Sequence, residues 1–104
     1  MQRIAFKMKL FKDCKEEYKT RHDAIWNELK DLLKHTGIKD YSIFLDETTN
    51  DLFAYLTIAD SKKLDNLTSE PVMKKWWNYM KYIMETNEDN SPINTPLKEV
   101  FYLP

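Results

Sequence analysis

The stretch that decides the fold runs from Ile38 to Ala59 and reads IKDYSIFLDETTNDLFAYLTIA. Two strand-like runs, IKDYSIFLD and DLFAYLTIA, are joined by the short polar connection ETTN, a pattern typical of a β-hairpin. Apolar side chains occupy both faces of this hairpin: Tyr41, Ile43, Leu45, Leu52, Ala54, Leu56 and Ile58 on one, and Phe44, Phe53 and Tyr55 on the other. Since a half-solvated antiparallel strand alternates apolar with polar residues, both faces of this hairpin are expected to be covered.

The segments on either side of the hairpin complete an alternating α+β pattern. RIAFKMKL has the period of two of a strand, and LKEVFYLP closes the chain as another strand. Asp13 is the predicted N-cap of one helix that runs to about Thr36, where Gly37 supplies a left-handed end. DSKKLDNL predicts a short helix capped by Asp60. SEPVMKKWWNYMKYIME predicts a longer one, with Pro71 in its first turn.

The order β-α-β-β-α-β is that of the ferredoxin-like split unit, and 104 residues correspond to a single domain over 1–104. Both helices of this α+β fold lie on one face of the antiparallel sheet. The other face would remain a large exposed apolar patch, and we therefore predict a homodimer packed sheet to sheet, a dimeric α/β-barrel. The alternative is a sheet that exposes some of its aromatic residues.

Composition excludes several classes of function. With 16 basic and 17 acidic residues interspersed along the chain, neither nucleic acid nor an anionic membrane surface is an expected partner. The β-α-β-β-α-β order also occurs in RNA-recognition modules, but the glycine- and aromatic-rich strand motif of those modules is missing. The single glycine, Gly37, leaves no sequence for a P-loop or a dinucleotide-binding motif.

The sequence also favours a cytoplasmic setting. Cys14 is the one cysteine, so no intrachain disulfide can form, as expected in a reducing compartment. The first residues are interrupted by charges and do not resemble a signal peptide, and no apolar run reaches the ~18 residues of a membrane span. Cys14 is expected to fill space in the core.

A histidine lies on the apolar stripe of the first predicted helix. At about 100° per residue, Tyr18 and His22 share one face with Ile25 and Leu29. One interpretation is a core imidazole satisfied by a hydrogen bond, and the other is an acid/base group with a pKa near 6.5 in a pocket between helix and sheet. His22 and His35 face different sides of the helix and do not form a metal pair.

A tryptophan pair gives a second indication of a pocket. Trp76 lies on the inward stripe of the long helix, and Trp77 lies about 100° further round, so one flat surface would not bury both equally. Trp77 either covers a seam between elements or joins Trp76 in walling a pocket for a sugar, whose C–H face packs on indole. Tyr41, at the start of the second strand, could add a phenol to that pocket.

These residues resemble a known family, the L-rhamnose mutarotases. The resemblance covers almost the whole chain and rests on RIAFKMKL, EEYKTRHDAIWNEL, YSIFLD, LFAYLTI, KKWWNYM, DNSP and EVFYLP. It implies a ferredoxin-like dimer with its sheets packed together, and an isomerase without cofactor or metal that interconverts the α and β anomers of L-rhamnose.

The resemblance also suggests roles for individual residues. His22 resembles the family's proton donor, and Tyr18, Tyr41, Trp76 and Trp77 resemble its sugar-binding residues. The family pattern has proline after Trp26, where this chain has Asn27. Without that proline, the far half of the helix is expected to run straighter, which would alter the placement of Trp26.

Two other functions are compatible with the same residues. A cofactor-free monooxygenase of dimeric ferredoxin-like architecture also favours buried Trp, Tyr and His, and it would consume oxygen with a quinol-like substrate. A non-catalytic sugar sensor would bind L-rhamnose without accelerating anomer exchange. For the mutarotase, the second proton carrier is either Tyr18 or a bound water.

Overall fold

A computed structural model describes residues 1–104 of the protein. Four strands form an antiparallel sheet in the order β2-β3-β1-β4, as the ferredoxin-like prediction requires. The elements in chain order are β1 Gln2–Lys9, α1 Lys15–Asp23, α2 Asn27–Thr36, β2 Lys39–Asp46, β3 Asp51–Ile58, a 3-10 helix Ser61–Ser69, α3 Pro71–Met80 and β4 Thr95–Leu97.

The hairpin is confirmed, and its two faces differ in exposure. The side facing the helices holds the core, with Leu52, Ala54, Leu56 and Ile58 all buried. On the opposite side, Phe44 is 68% exposed and Phe53 and Tyr55 are 37% and 36% exposed. This second side, hereafter the open sheet face, is the apolar patch that the alternation predicted.

The single helix predicted over 13–36 is wrong, because the chain bends between α1 and α2. The Ala24 N–H donates to the Thr20 carbonyl and the Ile25 N–H donates to the His22 carbonyl, after which Trp26 is extended with φ −61° and ψ 137°. Trp26 can then pack its indole against α3, which a residue in a continuous helix would not do at this position. The bend forms without proline, so the expected straighter helix is also wrong.

The ends of the helices are only partly as predicted. Asp13 is not an N-cap; it has a φ of 63°, and Cys14 precedes α1 without a side-chain cap. Gly37 does end α2 in the left-handed region at φ 97°, where the Gly37 and Ile38 N–H groups donate to the Lys34 and Leu33 carbonyls, as in a Schellman end.

Three later predictions need their bounds revised. DSKKLDNL is helical, as a 3-10 helix in which the Asp60 carboxylate accepts from the Lys62 N–H at 3.0 Å. The long helix, predicted over 69–85 with Pro71 in its first turn, runs only from Pro71 to Met80, because the chain turns there and Met84 pairs with Leu10. The final strand predicted over LKEVFYLP (97–104) is wrong for all but its first residue, because β4 is Thr95–Leu97 and residues 98–104 have no strand pairing.

The bend makes Asn27 a suitable position for proline. Asn27 is the first residue of α2, where the N–H has no intrahelical acceptor, and Trp26 already has the extended conformation that proline favours in the residue before it. We expect Asn27→Pro to raise the free energy of unfolding by about 0.4–1 kcal/mol, by restricting the unfolded chain. Urea unfolding measures the change.

The matched control is Lys30→Pro, one turn further along α2. Its N–H donates to the Trp26 carbonyl at 2.9 Å, so proline should cost about 3 kcal/mol or more there. If Asn27→Pro were as destabilising as Lys30→Pro, the bend at Trp26 would be incompatible with proline and our account of it would be wrong.

Candidate active site

The five residues that the sequence singled out surround one cavity. It lies between the helices and the sheet and has a volume of about 1160 Å³. Its lining includes Tyr18, His22, Tyr41, Trp76 and Trp77. Three elements therefore converge on it, because α1 supplies the first two residues, β2 supplies Tyr41 and α3 supplies the tryptophans.

His22 is held in one tautomer by its own helix. Its Nδ1 lies 3.0 Å from the carbonyl oxygen of Tyr18, one turn earlier in α1. Since a carbonyl can only accept, Nδ1 carries the hydrogen and donates it. The neutral ring then has its lone pair on Nε2, the nitrogen that is left for a ligand.

Aromatic rings fix the plane of this imidazole. The Tyr18 ring stacks on His22 with centroids 4.2 Å apart and planes 24° apart. Trp76 meets the same imidazole edge to face, at 5.3 Å and 87°. Packed on two sides and bonded through Nδ1, the imidazole has little freedom to change its orientation.

Burial dominates the pKa of His22. Desolvation lowers it below the ordinary 6.5, while the bond to the Tyr18 carbonyl and the neighbouring Asp23 act in the opposite direction. The bend in the chain adds to this opposing effect, because it places His22 in the last turn of α1, where the helix dipole favours a cation. His22 is therefore neutral at pH 7, with an imidazolium that remains accessible.

This shift has a measurable consequence for stability. The unfolded chain takes up a proton on His22 near pH 6.5, and the folded protein does so only at a lower pH. The stabilisation from the neutral histidine is thus complete above pH 6.5 and is lost as the pH falls through the folded pKa. We expect the Hε1 NMR signal of His22 to titrate with a midpoint below 6.5.

The lowered pKa of His22 can also be measured through the pH dependence of stability. Between pH 5 and 7.5, the free energy of unfolding of the wild-type protein should fall more on acidification than that of His22→Ala, because Asp23 and the other carboxylates contribute equally to both. A midpoint at or above 6.5, or identical pH profiles for the two proteins, would contradict the assigned burial.

Two phenols face the cavity in their neutral form. Burial, reinforced by the nearby Tyr41, raises the pKa of Tyr18 far above its ordinary 10. Although 39% of Tyr41 is exposed, burial around its hydroxyl raises its pKa to about 12. Neither hydroxyl forms a hydrogen bond with the protein, so both can donate to a bound ligand, and neither is a base at neutral pH.

A β-bulge places Tyr41 at this site. Lys39 pairs with Thr57 and Ser42 pairs with Tyr55, so β2 has one residue more than β3 over this interval. Asp40, within the bulge, has a positive φ of 52°. Bulges re-aim the side chains beside them, and sequence alternation alone did not reveal this one.

Both tryptophans are buried, contrary to the expectation that one flat surface would not cover them equally. Trp76 is 5% exposed and Trp77 is 8% exposed. Both belong to the main core cluster, and Trp76 in addition contacts His22 and Trp26 from the bent α1–α2 segment. Both also line the cavity, which favours the pocket interpretation over a seam.

Sequence reasoning missed a charged pair at the edge of the cavity. Lys15, at the start of α1, lies 2.9 Å from the Glu47 carboxylate in the β2–β3 connection, and both side chains line the cavity. No sequence signal joins two residues of these types across 32 positions. Their proximity follows only from the packing of α1 beside the hairpin.

No group of three or more His, Cys, Asp or Glu side chains is arranged to hold a metal ion. None of the helices combines the length and apolar character needed to cross a membrane.

Comparisons with known proteins are consistent across sequence and structure. The family model described as L-rhamnose mutarotase matches residues 3–103. Curated proteins named L-rhamnose mutarotase include one from Formosa agariphila, 52% identical over 103 residues and covering 99% of each chain. One from Flavobacterium johnsoniae is 54% identical over 101 residues, covering 97% of this chain and 94% of its own. The crystal structure of an L-rhamnose mutarotase from Formosa agariphila matches with a TM-score of 0.93 at 50% identity, covering 100% of both chains.

Proposed function

The chain belongs to the L-rhamnose mutarotase family, and we propose that it is an isomerase that interconverts the α and β anomers of L-rhamnose in the cavity beside His22. One observation carries the catalytic part of the proposal: His22 directs Nδ1 to a carbonyl and keeps Nε2 for a ligand, beside two neutral phenols without protein partners. The lone Cys14 fits a cytoplasmic setting, where no disulfide is needed.

The reaction requires only proton transfers and one ring-opening. A proton is added to the ring oxygen as its bond to the anomeric carbon breaks, and the anomeric hydroxyl loses a proton, which leaves an open-chain aldehyde. Rotation of the aldehyde and the reverse transfers close the ring with the other configuration. We assign the proton given to the ring oxygen to the imidazolium form of His22, which carries this proton on Nε2 and takes it back as the ring recloses; general acid/base catalysis of this kind contributes about 10²–10⁴-fold.

The pKa values favour water over Tyr18 as the acceptor of the second proton. A base must lose its own proton first, and burial holds the Tyr18 phenol protonated far above neutral pH. We therefore assign the second transfer to a water molecule in the cavity. In this proposal Tyr18 and Tyr41 bind the sugar by donating hydrogen bonds to its oxygens.

The apolar side of the sugar has suitable partners on α3. We propose that Trp76 and Trp77 pack against its C–H face, since both are buried residues that line the cavity. Met80, 2% exposed and also in the lining, lies one turn beyond. L-Rhamnose has a methyl group where most sugars have a hydroxymethyl, and an apolar wall favours the methyl by about 1–3 kcal/mol.

We propose that the protein acts as a homodimer joined through the open sheet face. Phe44, Phe53 and Tyr55 lie there with 68%, 37% and 36% of their surfaces exposed, on adjacent strands of one sheet. A second copy would cover this patch by the isologous contact that a two-fold axis allows, at the spacing of about 10 Å usual for packed sheets.

Saturation-transfer NMR between the two anomeric protons of L-rhamnose tests the function. The protein at catalytic concentration should increase the exchange rate above that of buffer. Binding of L-rhamnose without faster exchange would replace the proposal with the sugar sensor. If the protein neither binds L-rhamnose nor accelerates its exchange, and it consumes oxygen with a quinol-like compound, the monooxygenase would replace the proposal.

A further inference from the structure

The bend between α1 and α2 leaves the position of His22 dependent on side-chain contacts. α1 ends at Asp23, one residue beyond His22, and the extended Trp26 separates it from α2. The backbone therefore does not hold α1 rigidly against the rest of the helical layer. Some other contact must fix α1 relative to α3, which carries Trp76.

Arg21 makes one of the contacts that fix α1 relative to α3. Its Nη1 donates a hydrogen bond to the carbonyl oxygen of Tyr79, and its guanidinium carbon lies 4.1 Å from the centre of the Tyr79 ring. Nε donates to Glu17 at 2.7 Å, and the Arg21 side chain is only 15% exposed. An arginine bonded in two directions and stacked on an aromatic ring has one orientation.

The carbonyl that Arg21 reaches is at the end of α3. The carbonyls in the last turn of a helix accept no hydrogen bond from within that helix, and they lie at the negative end of the helix dipole. The last turn of α3 contains no basic residue of its own, so Arg21 of α1 supplies the cation that this end favours. The bond therefore joins the end of one helix to the end of the other.

A continuous series of ring contacts leads from Arg21 to the imidazole. The Tyr79 ring lies 5.5 Å from Trp26 and 5.6 Å from Trp76. Trp26 meets Trp76 edge to face at 5.1 Å and 90°, and Trp76 meets His22 at 5.3 Å. The Trp76 ring thus contacts Tyr79 and Trp26 as well as His22.

We propose that Arg21 is a positioning residue: through Tyr79 it holds the end of α3 against α1 and so keeps Trp76 packed on His22 in the sugar site. This inference rests on the proposed function. Arg21 itself does not line the cavity, so its role would be indirect. The alternative is that Arg21 only adds stability, as an i,i+4 ion pair with Glu17 does on any helix surface.

Two variants interrupt the series at different points. Arg21→Met removes the guanidinium but keeps an apolar stem. Tyr79→Leu keeps the backbone carbonyl and changes no charge, so it removes the ring contacts without an electrostatic effect on His22. Glu17→Gln is the matched control, because it removes only the exposed ion pair of Arg21, which contributes little.

Anomer exchange and the NMR titration of His22 are measured on each variant at a temperature below its unfolding transition, where the variant is folded. We expect both Arg21→Met and Tyr79→Leu to lower the exchange rate by about 10–100-fold, as for catalytic groups displaced by about an ångström. In both, the His22 pKa should rise towards 6.5, because water reaches the imidazole when Trp76 moves. Glu17→Gln should stay within about twofold of the wild-type rate.

The outcomes separate the two proposals. If the wild-type protein does not accelerate exchange, the proposed function fails. If it does, and Arg21→Met and Tyr79→Leu keep the wild-type rate or lower it without moving the His22 pKa, the positioning role is wrong. A lower melting temperature alone, with rate and pKa unchanged, would likewise leave Arg21 as a merely stabilising residue.

Discussion

Replacing His22 by alanine is expected to lower the protein-dependent exchange of L-rhamnose anomers by about 10²–10⁴-fold, the range that general acid/base catalysis contributes. Nε2 of the His22 imidazole has no hydrogen-bond partner in the protein, and burial lowers the pKa of the ring below its ordinary value, so this nitrogen can take up and release a proton at the site. Tyr18 and Tyr41 are fixed as neutral phenols by burial. Saturation-transfer NMR at equal protein concentration measures the loss.

His35→Ala is the matched control, because it removes the other histidine from the exposed last turn of α2, outside the cavity lining. It should exchange anomers at the wild-type rate. Near-UV circular dichroism of His22→Ala should match the wild type, since an alanine leaves the surrounding rings in place. A His22→Ala protein with the wild-type rate would show that another group gives the ring oxygen its proton.

Replacing Phe53 by lysine is expected to convert the proposed homodimer into monomers at micromolar concentration. Phe53 lies on a central strand of the open sheet face, directly opposite Lys7 on β1 and Phe44 on β2. Between two packed sheets, an ammonium group would be buried without a partner, beside a like charge. Uncompensated burial of a charge costs about 3–5 kcal/mol, which raises the dimer dissociation constant by about 10²–10⁴-fold. Sedimentation velocity across a concentration series measures it.

The control places the same residue elsewhere. Asn78→Lys introduces a lysine on the exposed face of α3, away from the open sheet face, and should leave the sedimentation coefficient unchanged. A wild-type protein that sediments as a monomer at micromolar concentration would refute the sheet-to-sheet dimer. A Phe53→Lys protein that remains a dimer would place the interface on another surface.

Local patterns in the sequence predicted most of the elements. The alternation in the hairpin predicted β2, β3 and the distinction between their faces, since a period of two assigns each side chain to a side of the sheet. Gly37 predicted the end of α2, because few other residues adopt its left-handed conformation. These signals depend on neighbouring residues alone, and the chain order then indicated the ferredoxin-like topology.

The same patterns failed where distant contacts changed the backbone. Nothing near Trp26 breaks a helix by propensity; the chain bends there as the indole packs against Trp76 and Tyr79 on α3, 50 and 53 positions away. The long helix ends at Met80 for a similar reason, since Met84 pairs with Leu10 at the other end of the chain. The pattern of apolar residues along a helix does not predict a bend that is stabilised by a residue remote in sequence.

By itself, the sequence determined the order of the elements, the apolar open face and the five residues of the candidate site. It identified them because the period of side chains along a helix or strand is a local property. Only the tertiary structure decided that the imidazole packs against Trp76 on α3, that Tyr41 meets Tyr18 and His22 at one cavity and that Arg21 joins α1 to α3. Those relations depend on distances between elements that are remote in sequence. The pKa values likewise depend on burial, which arises only when the elements pack together.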